Sequence, residues 1–395
     1  MITSWPDQAI ETARTANDDA AQAARPGNEH ARALSNVLLA TVPLLFVAVM
    51  MWSVVHGRFA ALDFRYAYWS GGHRVLTGAS PYLWTASQFR RGVAFVYPAL
   101  SAVMFAPTTL LSRSEGAVIF TLVSACVAPA TLALLRVRDW RVYAVTLVWL
   151  PVCAGWLTAN ESLFMALGLA GVWRWRERPA VAGFLTAAMI SLKPIMWPLV
   201  IWLLVTRRWR ASVQTLAWGV LLNLAAWSVV GFSQIGSYLH AVSADTQAGW
   251  REGFGIPALL GYLGAGRTEG IAVMIIVTAA LLVALLHSGL VRRNEVHALT
   301  LTVTLAIVSS PLLWSHYLAL LLVPMALLRP RLHWLWLLPV PMWICPPDVR
   351  AQLWQVAYFW LAGGVMLTLL ASQAVRLTAP ASRLLRRPSL MQARA

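Results

Sequence analysis

A single acid set among basic residues is the first feature of this chain that could do chemistry. Asp63 is the only acidic residue between positions 56 and 98, a stretch that also carries five arginines. It follows directly on a hydrophobic span, where water and lipid headgroups both have access. A carboxylate at such a boundary can serve as a general base. It can equally be the counter-charge of nearby arginines in an interfacial loop, and the residue types alone leave both interpretations open.

Lys193 is the second candidate, because it is the only lysine in a chain whose other basic residues are arginines. It lies with Pro194 at a tight turn between two short apolar stretches. A lone charge at membrane depth is costly and usually functional, and an ammonium group there could hold a lipid-linked phosphate. The alternative is a lysine that extends its stem to reach the interface.

A third candidate lies in the stretch 309–317, which reads SSPLLWSHY. Pro311 breaks the helical pattern, so Trp314, His316 and Tyr317 are expected just inside the membrane edge. A lone interfacial histidine is more often structural than chemical. The stretch therefore predicts a polar element at the membrane boundary without fixing its role.

Taken together and in order, these stretches resemble glycosyltransferase family 87. The resemblance rests on Asp63-x-x-Tyr66, Gly78-x-Ser80-Pro81-Tyr82, Tyr97-Pro98, Lys193-Pro194 with the arginine-rich 207–210 after it, and Ser310-Pro311-x-x-Trp314-x-His316. Members of that family are membrane enzymes of the GT-C fold that use polyprenyl-phosphate sugars, typically mannose. The resemblance implies an all-α integral membrane protein with a catalytic aspartate in its first exoplasmic loop.

The resemblance also implies roles for individual residues. Asp63 would be catalytic, Lys193 and Arg65 would bind the donor phosphate, and the substrate-binding residues would be Tyr66, Tyr82, Tyr97, Trp314, His316 and Tyr317. No metal or other cofactor is implied. Asn160-Glu161 departs from the Gly-Gln-x-Asn that members often carry, and Glu161 is also explained as an acid at the start of a helix. Ala99 replaces a second proline.

Composition indicates the elements that must position these residues. Of 395 residues, 59% are hydrophobic and 12% charged, which predicts many spans of about 20 residues each. The net charge of +16 sits in short arginine clusters between apolar runs. These clusters are typical of orientation signals and contacts with anionic membrane lipids, not of nucleic-acid binding. The three cysteines form no spaced set, so no disulfide framework and no metal site are expected.

The arginine clusters predict the topology. Placing 136–141, 174–178, 207–210, 292–293, 329–331 and the C-terminal tail in the cytoplasm gives about 12 transmembrane helices, with both termini inside. Two long exoplasmic loops result, 57–115 and 231–269. Both ends of loop 57–115 lie outside in this arrangement, so 97–111 must be re-entrant or interfacial instead of crossing the membrane. The alternative is that 97–111 crosses and one arginine cluster lies outside the cytoplasm. From Asp63 to Leu76 the pattern predicts a short interfacial helix with Tyr66, Tyr68 and Trp69 at the membrane surface.

Three regions follow from this reading. Residues 1–32 are expected to be a disordered cytoplasmic tail, 33–375 the transmembrane domain, and 376–395 a basic cytoplasmic tail. Loop 231–269 is either a surface connection or a cover that binds the acceptor.

The predicted function is transfer of a sugar, with mannose as the first candidate, from a polyprenyl-phosphate donor to a glycolipid or glycan acceptor. It would take place on the exoplasmic side of a bacterial plasma membrane, in cell-envelope glycolipid biosynthesis. No Gly-rich phosphate loop and no Asp-x-Asp pair occurs, which argues against a metal-dependent nucleotide-sugar enzyme. Two alternatives stay open: an arabinofuranosyl or other pentosyl transferase of the same superfamily, and a multi-pass transporter or lipid flippase, although no internal repeat is found.

Overall fold

The computed structural model describes residues 29–56, 60–90, 94–287, 294–344 and 352–376. Both predicted tails, except 29–32 and Arg376, lie outside the described residues, as do Arg58, Arg91 and Cys345. The described residues divide into one unit that ends at Val42 and one that begins at Pro43. In the first unit, the apolar side chains of Leu34 and Val37 are exposed. Everything below concerns the second unit.

All regular elements of the described residues are helical, as the sequence predicts. The α-helices are, in chain order, α1 (Glu29–His56), α2 (Trp69–Leu76), α3 (Ala86–Arg90), α4 (Ala99–Phe105), α5 (Arg113–Leu134), α6 (Trp140–Thr146), α7 (Leu150–Leu157), α8 (Ser162–Arg174), α9 (Pro179–Leu192), α10 (Pro198–Val205), α11 (Trp209–Val230), α12 (Ile235–Gly249), α13 (Ile256–Tyr262), α14 (Arg267–His287), α15 (Glu295–Val308), α16 (Leu322–Leu328) and α17 (Leu353–Arg376).

Shorter helical turns complete the architecture. A π-helical turn (Asp63–Tyr68) leads into α2, so the helix predicted from Asp63 to Leu76 is confirmed. The 3₁₀ turns are Ala106–Leu110, Pro194–Met196, Phe232–Gln234, Ser315–Leu321, Trp334–Leu337 and Val340–Ile344.

Four of the described helices are long and apolar enough to cross a membrane: α1, α5, α11 and α14. The pair α6 and α7 passes the same test together but bends by 61° between them. On α11 and α14 the apolar side chains point outward, with Leu216 and Ile276 among the exposed residues. Exposed apolar faces of this length suit contact with lipid tails.

The other apolar helices have 10–17 residues, which is why the predicted count of 12 spans stays a prediction. Helix α4 and the 3₁₀ turn after it form one apolar segment, Ala99–Leu110. At 1.5 Å per residue this segment is about 18 Å long, well short of a hydrocarbon core of about 30 Å. Other apolar helices of the described chain have nearly the same length, so the re-entrant course of 97–111 stays a prediction.

The first long loop folds around an aromatic core of its own. Buried side chains from this loop and its neighbours pack together, namely Phe64, Tyr68, Tyr82, Phe89, Phe95, Phe105 and Trp227. Tyr68 is fully buried here, so its predicted place at the membrane surface is wrong; its ring stacks on Phe105 with centroids 4.3 Å apart. Gly72 lets α2 approach α4, since a Cβ there would lie 2.7 Å from the Phe105 carbonyl.

The second long segment, 231–269, is mostly helical and packs on the first. It contains α12 and α13, and Ser80 Oγ donates to Gln234 Oε1 at 2.6 Å. The rings of Tyr82 and Tyr238 lie 5.5 Å apart. Further along, the Phe254 N–H donates to the Leu313 carbonyl at 2.6 Å. The segment therefore joins the first loop to the stretch that holds His316.

Three helices end in the same hydrogen-bond pattern although no glycine is present at the turn. After α5, α7 and α10, the left-handed residues are Arg136, Ala159 and Arg207, with φ between 54° and 60°. In each case the N–H of the next residue donates to the carbonyl of the residue five positions earlier, as Asn160 N–H does to Gly155 O at 2.8 Å. This is the Schellman cap, which usually employs glycine because the left-handed conformation costs other residues about 1–2 kcal/mol.

Candidate active site

The side chain of Asn160 joins the two main sequence candidates. Its Nδ2 donates to Asp63 Oδ2 at 2.7 Å, and its Oδ1 accepts from Lys193 Nζ at 2.9 Å. Only this orientation of the amide satisfies both neighbours, because a carboxylate accepts and an ammonium donates. Residues 97 and 33 positions away along the chain thus meet on one buried amide.

Backbone hydrogen bonds fix Asp63 and Asn160 in place. The Schellman cap after α7 turns the chain so that Asn160 follows Ala159 directly into the site. The free carbonyls at the end of that helix then accept from the first loop: Ala61 N–H donates to Leu157 O at 2.7 Å, and Asp63 N–H to Thr158 O at 3.0 Å. These bonds satisfy helix-end carbonyls that would otherwise lack partners.

Ala61 also has a left-handed backbone, with φ 58°, and is fully buried. Together with Ala159 it places two non-glycine residues of this conformation beside the site. The π-helical turn that begins at Asp63 is a further irregularity, of a kind frequently found at functional sites. The local backbone is thus shaped to aim Asp63 rather than to form the most stable helix.

Lys193 lies in the turn after α9 and is only 6% exposed. Its ammonium donates to Asn160 Oδ1 and to Ser162 Oγ, and it sits 4.4 Å from the centroid of the Tyr317 ring. A lysine that reached out to the interface would be exposed, so this alternative does not hold. Burial lowers the pKa of this ammonium, and the carboxylate of Glu161 acts in the opposite sense.

Glu161 is a buried carboxylate at the start of α8, 1% exposed. Its Oε2 accepts from Ser101 Oγ at 3.3 Å. Glu161 is the N-cap residue of α8, as expected for an acid at the start of a helix, but its side chain makes no cap hydrogen bond. Asn160 Oδ1 instead accepts the Ser162 N–H at 2.9 Å. Burial is the main reason why the pKa of Glu161 is raised above its ordinary value.

Three tyrosines form the wall on the side of the first loop. Tyr97 Oη accepts from Asn160 Nδ2 at 3.3 Å, and its ring lies 4.5 Å from that of Tyr68. Tyr82 Oη donates to the Tyr97 carbonyl at 3.1 Å. Tyr97 thus touches the central amide, whereas Tyr82 supports it from behind.

The stretch 315–317 forms the opposite wall. His316 is buried, and its ring lies 4.9 Å from that of Tyr317. Among the described residues, neither His316 Nε2 nor Ser315 Oγ has a hydrogen-bond partner. Trp314 is half-buried just before them, and the contacts described for this part of the chain do not bring it into the cluster.

Two predicted residues lie elsewhere. Arg65 Nε donates to the Ala60 carbonyl at 3.0 Å, and its Nη1 donates to Ser114 Oγ at 3.1 Å, at the start of α5. Tyr66 is 40% exposed. The structure does not bring either side chain to Asn160, and their proposed roles with donor and substrate stay predictions.

Asp245 on α12 is a site neighbour that sequence reasoning did not single out beyond its loop. Its pKa is raised to about 6, first by burial and then by the charges of Glu252 and Asp63. The influence of Asp63 shows that the second long segment reaches the vicinity of the site. The sequence held a signal for this, since Asp245 is one of few acids in 231–269.

The arrangement brings a carboxylate, an ammonium group and several unsatisfied polar atoms together in one buried place. The Asn160 amide donates to Asp63 and accepts from Lys193. Glu161 Oε1, His316 Nε2 and Ser315 Oγ lack partners among the described residues. Buried polar atoms without partners are uncommon and indicate a place where a polar ligand binds. No three His, Cys, Asp or Glu residues in the described parts of the chain are grouped to hold a metal ion.

Comparison with known families adds the deciding observation. The model of Glycosyltransferase family 87 matches residues 95–315, more than half of the chain. The chain belongs to glycosyltransferase family 87. As a family 87 member it is a glycosyltransferase, and its apolar helices are those of a membrane protein. No curated protein and no solved structure matches it. The matched region of this family 87 chain includes Asn160 and Lys193, begins after Asp63 and ends one residue before His316.

Proposed function

We propose that this chain transfers a hexose, with mannose as the first candidate, from a polyprenyl-phosphate donor to a glycolipid or glycan acceptor. The reaction takes place at the exoplasmic face of a bacterial plasma membrane, with membrane lipids around the site. Transfer is a single displacement that inverts the anomeric centre and requires no metal. Donor class, sugar and stereochemistry follow from the resemblance to family 87.

One observation carries the proposal: Asn160 holds a carboxylate and an ammonium group on the two ends of one amide. Glycosyl transfer from a lipid phosphate needs a base for the acceptor hydroxyl and a positive charge for the departing phosphate. A fixed spacing between the two groups lets a sugar lie with its acceptor on one side and its phosphate on the other.

In the proposed step, Asp63 takes the proton of the acceptor hydroxyl while its oxygen attacks C1 of the sugar. The bond between C1 and the phosphate oxygen breaks, and its electron pair remains on the phosphate. Lys193 stabilises the charge that develops there. A general base of this kind contributes about 10²–10⁴-fold to the rate.

The surrounding side chains suit the binding of a sugar phosphate. His316 Nε2 and Ser315 Oγ are buried and lack partners in the described chain, so they are available to hydroxyl or phosphate oxygens. The rings of Tyr97 and Tyr317 flank the amide and the ammonium. They supply the aromatic faces on which sugar C–H groups commonly pack.

The exoplasmic assignment draws on where the site residues come from. Asp63, Asn160, Lys193 and His316 all lie at turns that the positive-inside rule assigns to the outer face. The arginine clusters 174–178 and 207–210 share an ion-pair network at the other ends of the same helices. Contacts therefore join turns of the same predicted side.

The decisive experiment replaces the base. Asp63→Asn keeps the size of the side chain and can still accept from Asn160, but it cannot take a proton. With purified protein, a polyprenyl-phosphate sugar and an acceptor, turnover should fall at least about a hundredfold with little change in acceptor affinity.

Asp139→Asn is the matched control. Asp139 binds Arg141 and the Leu332 N–H, far along the chain from the site, so this variant should lose stability but keep its turnover per folded molecule. An Asp63→Asn protein that transfers sugar at the wild-type rate would refute the assignment of Asp63.

A further inference from the structure

Glu161 is a buried acid that the transfer step above does not use. It is nearly inaccessible, and Oε2 has a single weak hydrogen bond, from Ser101 Oγ. Oε1 has no partner among the described residues. A carboxylate in this condition is expensive to keep ionised, because the protein replaces little of the hydration that it loses.

Several titratable groups face Glu161 from the neighbouring elements. They are Asp63 and Tyr68 of the π-helical turn, Tyr97 before α4, Lys193 after α9 and Tyr317 of the 3₁₀ turn. His316 faces the same Lys193. Lys193 is the cation whose charge acts on the carboxyl of Glu161.

Donor binding changes this balance. A polyprenyl-phosphate sugar is a phosphodiester with one negative charge, and in the proposed function it lies beside Lys193. Its negative charge would then lie close to the buried carboxyl of Glu161, and electrostatic repulsion at low dielectric disfavours two anions there. Taking up one proton on this carboxyl removes that repulsion.

Asp63 is not the group that takes this proton, because it must stay ionised to act as the base and is held by the Asn160 amide. Glu161 has an oxygen free to receive it, and burial already raises the pKa of this carboxyl. A bound phosphate anion would raise the pKa of Glu161 further.

We propose that Glu161 takes up one proton from solvent when the donor phosphodiester binds beside Lys193, and releases it when the phosphate product leaves. This inference rests on the proposed function. The proton adds to Oε1, no covalent bond of donor or protein breaks, and Lys193 becomes fully available to the phosphate. Glu161 is thereby a positioning residue that tunes the ammonium group.

Proton uptake by Glu161 makes donor affinity depend on pH in a defined direction. Since the donor-bound protein holds the proton more tightly than the free protein, donor affinity is greatest at low pH. It weakens as pH rises through the range in which Glu161 of the free protein ionises, by up to about tenfold per pH unit.

The test uses purified full-length protein and β-mannosyl citronellyl phosphate, a short-chain phosphodiester that does not titrate near neutrality. No acceptor is added, so only binding is observed. Infrared difference spectra should show a new protonated-carboxyl band when this probe binds to wild type. Glu161→Gln should lack the band, and Glu269→Gln, which alters an exposed acid at the start of α14, should retain it.

Calorimetry in two buffers of different ionisation enthalpy then counts the protons. At a pH at which Glu161 of the free protein is ionised, wild type should take up about one proton per probe. Lys193→Arg should still do so, because a guanidinium group does not titrate in this range. Loss of uptake in Lys193→Arg would assign the proton to the lysine and overturn the proposal. If Glu161→Gln does not fold, Ser101→Ala takes its place, and it should shift the frequency of the wild-type band, since Ser101 donates to Glu161.

The proposed donor class and the proposed role of Glu161 can be refuted separately. If wild type does not bind the phosphodiester at any pH, the proposed donor class is wrong. If wild type binds it without a carboxyl band and without proton uptake, the donor class stands and the role of Glu161 is wrong.

Discussion

Helices α8, α9 and α15 connect two polar clusters that are built in opposite ways. At one end, Asp63 and Lys193 meet through the neutral amide of Asn160. At the other end, Arg176 and Arg208 bind the same glutamate, Glu295, at 2.9 and 2.7 Å. The second cluster fastens the helix ends to one another by direct ion pairs. The first keeps the charges of Asp63 and Lys193 apart, on the two ends of one amide.

The largest contrast should come from removing one cation at each end. Lys193→Ala should lower kcat/KM for the donor by about 10²–10³-fold, the usual effect of losing one group that stabilises transition-state charge. Lys193→Arg should recover part of the activity, since charge matters more there than shape. Donor-dependent initial rates measure both.

Arg208→Gln is the counterpart at the other end. It should lower the free energy of unfolding of the protein in detergent by about 1–3 kcal/mol, which is the range for hydrogen bonds to charged groups. The turnover per folded molecule should stay unchanged. The comparison fails if Lys193→Gln transfers sugar at the wild-type rate with subsaturating donor, or if Arg208→Gln changes the donor KM.

A smaller effect, on stability, is expected from Asp245, which lies on the second long segment. The negative charges of Glu252 and Asp63 act on this residue. Its pKa of about 6 in the folded protein exceeds the value of about 3.9 in an unfolded chain. Folding therefore favours the protonated form, and this acid destabilises the protein increasingly as pH rises from about 4 to 6. Asp245→Asn should melt at a higher temperature than wild type at pH 8 and at about the same temperature at pH 4.

The solvent-accessible part of Asp245 reduces the effect, and we expect about 1 kcal/mol at pH 8. Glu269→Gln, which alters an exposed acid at the start of α14, is the control and should show no such pH-dependent difference. Equal melting of wild type and Asp245→Asn at pH 8 would mean that the charge of Asp245 is not buried against Asp63 and Glu252.

The sequence made Asp63 and Lys193 easier to identify as site residues than Asn160, which lies between them. Asp63 and Lys193 are conspicuous because each is chemically isolated in its stretch, and apolar runs between arginine clusters located most helices. Asn160 was not conspicuous, because its importance depends on a helix cap that turns it toward two residues distant along the chain. The cap itself was hidden, since Ala159 occupies the position where glycine would have signalled it.

The smallest expected effect tests that cap. Ala159→Gly removes the cost of a left-handed alanine, about 1–2 kcal/mol, and adds the entropy cost of glycine, about 0.5–1 kcal/mol. Stability should rise by at most about 1.5 kcal/mol, with activity retained because Asn160 keeps its place. Ala170→Gly, in the middle of α8, is the control and should lower stability by about 0.5–1 kcal/mol. A loss of stability in Ala159→Gly equal to that of the control would contradict the left-handed cap.

If helices α8, α9 and α15 stand across the membrane, their shortness sets the depth of the proposed site. Helix α8 has 13 residues and α9 and α15 have 14 each, so each is about 20 Å long. A hydrocarbon core of about 30 Å is longer than that. If the arginine cluster holds its ends at the inner headgroups, the site lies about 10 Å below the outer ones. A donor phosphate would then leave the headgroup plane to reach Lys193, and the thickness of the surrounding bilayer would set how far it must travel.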